Sequence, residues 1–234
     1  MRVSLVVWIS VAPFIVFLVV VGIHFCVRRK PLFPPIWVRR LPAVENDKLE
    51  KLTRLGHRVF TLLNDNRLPY VVICGSLLGI VRHDGHMIPW DDDIDIAVPE
   101  SHKDQILDLF RDRGYTVTKK EVSYHVWDEE EHIFVDVFIM MHKEDKYIYK
   151  SADARFLWKD EWLEENVFTF PGSVQRSFCN SQVRVPKNFT EYLDRAYPKW
   201  DEKACLGLVH SGKMKDKLRF YFNAAIAPFC KKLK

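Results

Sequence analysis

The run Asp91-Asp92-Asp93-Ile94-Asp95-Ile96-Ala97-Val98 constrains this chain more than any other segment. Four carboxylates fall within five positions and then give way to apolar residues, which a solvated acidic loop does not explain. Alternation of Asp with Ile has the two-residue period of a β-strand. Asp93 and Asp95 therefore share one face while Ile94 and Ile96 enter a core. Two carboxylates side by side repel each other, and a cation held between them removes that cost. Mg²⁺, or Mn²⁺ in its place, suits such a site because it takes hard oxygen ligands and completes its shell with water and substrate phosphates.

The neighbouring segments set this strand in an α/β context. Tyr70 to Cys74 is a short β-rich run ended by Gly75-Ser76, and Leu77, Leu78, Ile80 and Val81 follow as a short helix. Asp84-Gly85 marks a turn, after which the chain returns through Met87 to Trp90 into the aspartate strand, ending at Pro99. Upstream, Leu49, Leu52, Leu55, Val59, Leu62 and Leu63 recur at helical spacing between Glu45 and Asn66, as in an amphipathic helix packed on a sheet. Downstream, Ser101 and Asp104 have capping-box spacing for a helix running to Arg113 and closed by Gly114. Tyr115 to Thr118, Val122 to Trp127 and Ile133 to Met141 read as strands, Asp128 to Glu131 as an acidic turn, and Thr190 to Tyr197 as a helix. Asp136 stands alone between Val135 and Val137, so three carboxylates converge if its strand neighbours the first.

Charge is distributed unevenly. The chain has 35 basic and 31 acidic residues, yet residues 1–42 carry six basic residues and no acid, and residues 213–234 carry seven basic residues and one acid. The middle, 43–212, is left with 22 basic and 30 acidic residues. An acidic body speaks against nucleic acid as partner, since phosphates demand a Lys/Arg face. Val3 to Val27 is apolar apart from Ser4, Ser10 and His24, and as a helix it extends about 37 Å, enough to span a bilayer. It is too long for the apolar region of a signal peptide and lacks a small-x-small cleavage site, so an uncleaved single-pass anchor is expected. Arg28, Arg29, Lys30, Arg39 and Arg40 favour a cytosolic C-terminal domain, as does the dilysine form of the final Lys231-Lys232-Leu233-Lys234. The sequon Asn188-Phe189-Thr190 is usable only in the lumen. The expected location is an ER or Golgi membrane, with the side of the membrane left open. Five widely spaced cysteines without a CxxC pair indicate neither a zinc ribbon nor a disulfide framework; a single bridge such as Cys179 to Cys205 remains compatible with a lumenal setting.

An apolar strand ending in Gly-Ser, a short helix, hydrophobic-Asp-hydrophobic-Asp, and a later lone Asp on a strand resemble the layout of nucleotidyltransferase folds related to DNA polymerase β. In that layout the Gly-Ser turn brings backbone N–H groups and a hydroxyl against a nucleotide phosphate. The stretch GSLLGIVRHDGHMIPWDDDIDIAV resembles the signature of the LicD and fukutin-type family of phospho-group transferases, and VRVPKNFTEYLDRAYPKWDE, Val183 to Glu202, is similar to that family's closing motif. The resemblance implies transfer of a phosphocholine or phosphoribitol-type group from a CDP-activated donor to a glycan. Carried over by position, it implies Asp93, Asp95 and Asp136 as catalytic carboxylates and metal ligands, with Gly75 and Ser76 as the donor-phosphate turn. Beside the animal members the chain is short, and it is expected to do without their large N-terminal stem domain.

Arg82 has two readings of equal weight, contact with a donor phosphate or a favourable charge at the end of its helix. His83 and His86 flank the turn before the aspartates, but nothing completes a zinc set, so a surface or substrate-facing role is expected. Trp90 is read as covering the core edge rather than stacking on a base. Lys213 to Lys234 reads either as a membrane-surface segment or as a helix docked on the domain. The expected organisation is an anchor over 1–30, a Pro-rich linker over 31–44, a nucleotidyltransferase-like domain with a mixed sheet flanked by helices over 45–201, and a basic segment over 202–234. A catalytically silent scaffold tethered to a membrane, and a true nucleotidyltransferase releasing pyrophosphate, are the alternatives to the phosphotransferase.

Overall fold

In the computed structural model the Asp/Ile alternation becomes strand β2 (Ile94–Pro99), every residue of which is buried. The structure describes residues 46–89, 91–198, 200, 201, 203–205 and 230–232. The expected anchor and linker, most of the basic C-terminal segment, and Trp90 lie outside these residues. Among the described residues no helix is long and apolar enough to cross a membrane.

The first helix, α1 (Asn46–Asp65), buries Leu52, Leu55, Gly56, Val59, Phe60 and Leu63 along one face. That stripe follows the i, i+3, i+4 spacing that puts side chains on one side of a helix. After it come β1 (Val71–Val72), α2 (Cys74–Arg82) and β2. A short 3₁₀ turn (Glu100–His102) leads into α3 (Lys103–Asp112), followed by β3 (Thr116–Lys119), β4 (Tyr124–Asp128), β5 (Ile133–Lys143) and β6 (Lys146–Tyr149). The rest comprises α4 (Ala152–Leu157), β7 (Leu163–Glu164), the hairpin β8 (Ser173–Phe178) and β9 (Ser181–Pro186), and α5 (Phe189–Ala196). A separate two-stranded sheet pairs β10 (Lys203–Cys205) with β11 (Cys230–Lys232).

The main sheet is mixed and seven-stranded, in the order β1-β2-β5-β4-β3, with β6 pairing β5 and β7 pairing β6. β2 and β5 run parallel; the other pairs are antiparallel. The parallel pair needs a crossover, which α3 and the β3–β4 hairpin provide. α1 packs against β5 and β9, so the two central strands are covered and read as apolar runs interrupted only by aspartates.

Several sequence expectations need correction. Gly75-Ser76 is not a turn between a strand and a helix, because both residues lie in the first turn of α2, and the change of direction falls one residue earlier, at left-handed Cys74 (φ 51°). β1 is correspondingly shorter than the expected Tyr70–Cys74. The capping box at Ser101 does not form, since the 3₁₀ turn displaces the start of α3 and Ser101 Oγ instead meets His102 Nδ1 at 2.9 Å. Cys179 is a buried free thiol, while the side chain of Cys205 lies outside the described residues. Burial pushes that thiol up to about 12, which keeps it protonated and unreactive at neutral pH. Iodoacetamide at pH 8 is therefore expected to leave Cys179 unlabelled in the native chain and to label it after unfolding, as read by peptide mass mapping.

Gly85 closes the turn after α2 with φ 82°, and a Cβ there would lie 2.5 Å from the Ser177 carbonyl oxygen on β8. A left-handed backbone and a backbone clash act together. Gly85→Ala is expected to destabilise the domain by about 1–3 kcal/mol, seen as a lower midpoint in urea.

Candidate active site

Parallel pairing of β2 with β5 places Asp95 directly opposite Asp136. Neighbouring residues in register on adjacent strands project from the same face, so one backbone choice brings together carboxylates that are 41 positions apart. Asp93 stands one residue before β2 on the same side. Asp93, Asp95 and Asp136 are only 3%, 7% and 3% exposed, and each offers an oxygen within 4.8 Å of the others. Asp91, Asp92 and Asp93 form a second such group beside it. Lys48, in the first turn of α1, reaches Asp92 Oδ2 at 3.1 Å and ties the acidic loop to that helix. Burial, and then the charge of Asp93, push the Asp91 carboxyl well above the ordinary range. Acidic groups so close destabilise one another's charged forms, and a divalent cation reverses that effect. Three buried carboxylates presenting only hard oxygen atoms are a donor set that fits Mg²⁺ or Mn²⁺ and does not fit a soft metal.

Asp136 is held from its other side. Ser123 Oγ donates to Asp136 Oδ1 at 2.9 Å, and His125 Nε2 lies 3.0 Å from the same oxygen. The His125 ring stacks on Phe134 at 4.1 Å with planes 5° apart. Such a shell fixes the orientation of a carboxylate. Neither Ser123 nor His125 was picked out by motif, although a signal existed. The acidic turn joins β4 and β5 as a hairpin, and counting outward equally from it sets His125 opposite Asp136.

Gly75 lies under the acidic loop, where a Cβ would come 2.4 Å from Asp91 Oδ2. Ser76 is 2% exposed and its Oγ accepts the Asp95 N–H at 2.9 Å, so this hydroxyl joins α2 to the aspartate strand. Both residues sit at the N-terminus of α2, whose first N–H groups have no partner within the helix. Arg82, at the far end of α2, gives an N–H to the Trp200 carbonyl at 3.2 Å, and burial lowers its guanidinium. Exposed His86 donates from Nδ1 to the His83 carbonyl at 3.0 Å, and among the described residues neither histidine belongs to a metal-ligating group. Asn188 of the sequon is exposed, with its amide donating to Glu164 Oε1 at 2.6 Å.

A mixed sheet whose adjacent central strands present paired carboxylates beside a helix N-terminus defines a nucleotidyltransferase-type domain. Residues 67–188 match the family model described as LicD/FKTN/FKRP, nucleotidyltransferase domain. The chain belongs to that family. Over 171 residues, 72% of this chain, it is 32% identical to an uncharacterised protein of Rickettsia prowazekii (strain Madrid E) and 32% identical to one of Rickettsia typhi (strain ATCC VR-144 / Wilmington). The match spans 62% and 52% of those relatives' lengths. Among solved structures, ANT(2'')-Ia in complex with adenylyl-2''-tobramycin is similar at 15% identity and a TM-score of 0.41, covering 63% of this chain and 79% of that one. The lincomycin-bound lincosamide antibiotic adenylyltransferase LnuA is similar at 13% identity and 0.41, covering 77% and 96%. Likenesses this distant have no bearing on substrate.

Proposed function

We propose that this protein is a metal-dependent transferase that moves a phospho-group, of phosphocholine or phosphoribitol type, from a CDP-activated donor to a glycan hydroxyl. The observation that carries the reading is the register of Asp95 with Asp136, which gathers three buried carboxylates next to the N-terminus of α2. Asp93, Asp95 and Asp136 would hold Mg²⁺ or Mn²⁺, which when bound would supply charge to neutralise the donor diphosphate and the departing nucleoside monophosphate. Gly75 and Ser76 offer backbone N–H groups to a donor phosphate at the positive end of the helix, and Arg82 adds charge from the other end of α2. Asp136, steadied by Ser123 and His125, takes the proton from the acceptor hydroxyl. A bond forms from the acceptor oxygen to phosphorus and the bond to the nucleotide phosphate oxygen breaks, releasing CMP.

The apolar stretch over residues 3–27 attaches the enzyme to an ER or Golgi membrane in this reading. Incubating the full-length chain in detergent with CDP-choline or CDP-ribitol, Mg²⁺ and a glycan acceptor should release CMP. Pyrophosphate release from CTP instead would mark a true nucleotidyltransferase. A folded chain whose thermal stability ignores every nucleotide tried with metal would mark the scaffold.

A further inference from the structure

A buried polar knot lies behind the N-terminus of α2, and the chemistry above makes no use of it. Glu161, between α4 and β7, is 9% exposed. Its Oε2 accepts from Tyr149 OH on β6 and from Tyr192 OH on α5, each at 2.9 Å. Cys74 Sγ lies 3.9 Å from that oxygen, 3.7 Å from Tyr149 OH and 3.6 Å from Tyr192 OH. The Cys74 N–H donates to Tyr192 OH at 3.4 Å. Burial raises the Glu161 carboxyl, and the donors from Tyr149, Tyr192 and Cys74 pull it back.

Two costs meet here. A carboxylate has been taken out of water where an apolar side chain would fill the core more cheaply. Cys74 holds φ 51°, a conformation that a residue with a Cβ avoids. Such strain persists only where the surroundings over-determine it, and it gathers at functional sites. Cys74 is followed at once by Gly75, packed under Asp91, and by Ser76, bonded to the Asp95 N–H. The knot therefore acts on the one backbone position that aims the α2 N-terminus at the carboxylates.

We propose that Glu161 is a positioning residue that, through Tyr149, Tyr192 and Cys74, locks Cys74 in its left-handed conformation and so sets the Gly75 and Ser76 N–H groups where a donor phosphate is gripped. This rests on the reading of Gly75–Ser76 as the donor-phosphate end of the site.

The test uses the full-length chain with CDP-choline and CDP-ribitol as probes, plus Mg²⁺, and compares Glu161→Gln and Tyr192→Phe with wild type. Each substitution should raise the donor KM by about tenfold while changing kcat by less than about twofold, the mark of lost binding common to ground and transition states. Hydrogen exchange of the 73–80 peptide should speed up with the rest of the domain unchanged. Adding Cys74→Gly to Glu161→Gln should restore most of the lost affinity, because glycine adopts positive φ without the knot. An unchanged KM, or faster exchange spread over the whole domain with no rescue by Cys74→Gly, overturns the inference. If wild type binds neither donor, the donor reading fails; local exchange at 73–80 and its reversal by Cys74→Gly then decide the positioning role alone.

Discussion

Asp95→Asn should leave a folded protein that does not turn over. Asparagine matches aspartate in shape, so the β2–β5 register survives, while one of three charges at the cluster disappears. Metal assistance to phosphoryl transfer is worth several kcal/mol, and each ~1.36 kcal/mol is tenfold in rate. The expected loss is at least about a thousandfold, with the same for Asp93→Asn and Asp136→Asn. Stability should hold or rise, because removing one of several crowded carboxylates relieves repulsion in the metal-free chain. CMP release and a thermal melt on the same preparation read both effects. Activity above about one per cent of wild type in a folded Asp95→Asn would remove the carboxylates from the chemistry.

Phe60→Ala should have the largest effect on stability. Phe60 is fully buried on α1, stacks on Tyr70 at 5.8 Å with planes 18° apart, and meets Phe178 at the end of β8 at 6.0 Å. One ring thus joins the first helix, the entry to β1 and the β8–β9 hairpin. Truncating a buried Phe costs roughly 3–5 kcal/mol through lost transfer energy and the cavity left behind, a large share of the ~5–15 kcal/mol that holds a typical domain together. Urea denaturation should show the midpoint falling with little change in slope. A loss below about 1 kcal/mol would mean that the hairpin is not docked through this ring.

Local pattern and tertiary contact divide the molecule cleanly. The helical spacing from Leu49 to Leu63 and the alternation at Asp93–Ile96 report side-chain periodicity, which depends on near neighbours alone, and α1 and β2 follow them closely. β6, β7 and β8 carry no comparable alternation, and Ser173–Phe178 has an exposed middle between buried ends. Their strand partners are near in sequence, but the elements they pack on, β1 and α1 against β9, lie far along the chain, so no local window reveals their placement.

The three aspartates and the Gly-Ser pair that follows β1 stand out as candidates because residue type and spacing mark them. That Asp95 and Asp136 face each other is a matter of strand register, decided by which apolar faces of β2 and β5 must be buried together. The roles of Ser123 and His125 follow from the same register. Nothing in the sequence links Glu161 to Cys74, 87 positions away; only the folded chain brings that carboxylate, two tyrosines and a thiol into contact. Residue identity and period determined the kinds of element and the candidate carboxylates. Tertiary structure decided which of them meet and how the α2 N-terminus is held, because burial and register act between segments that the sequence keeps far apart.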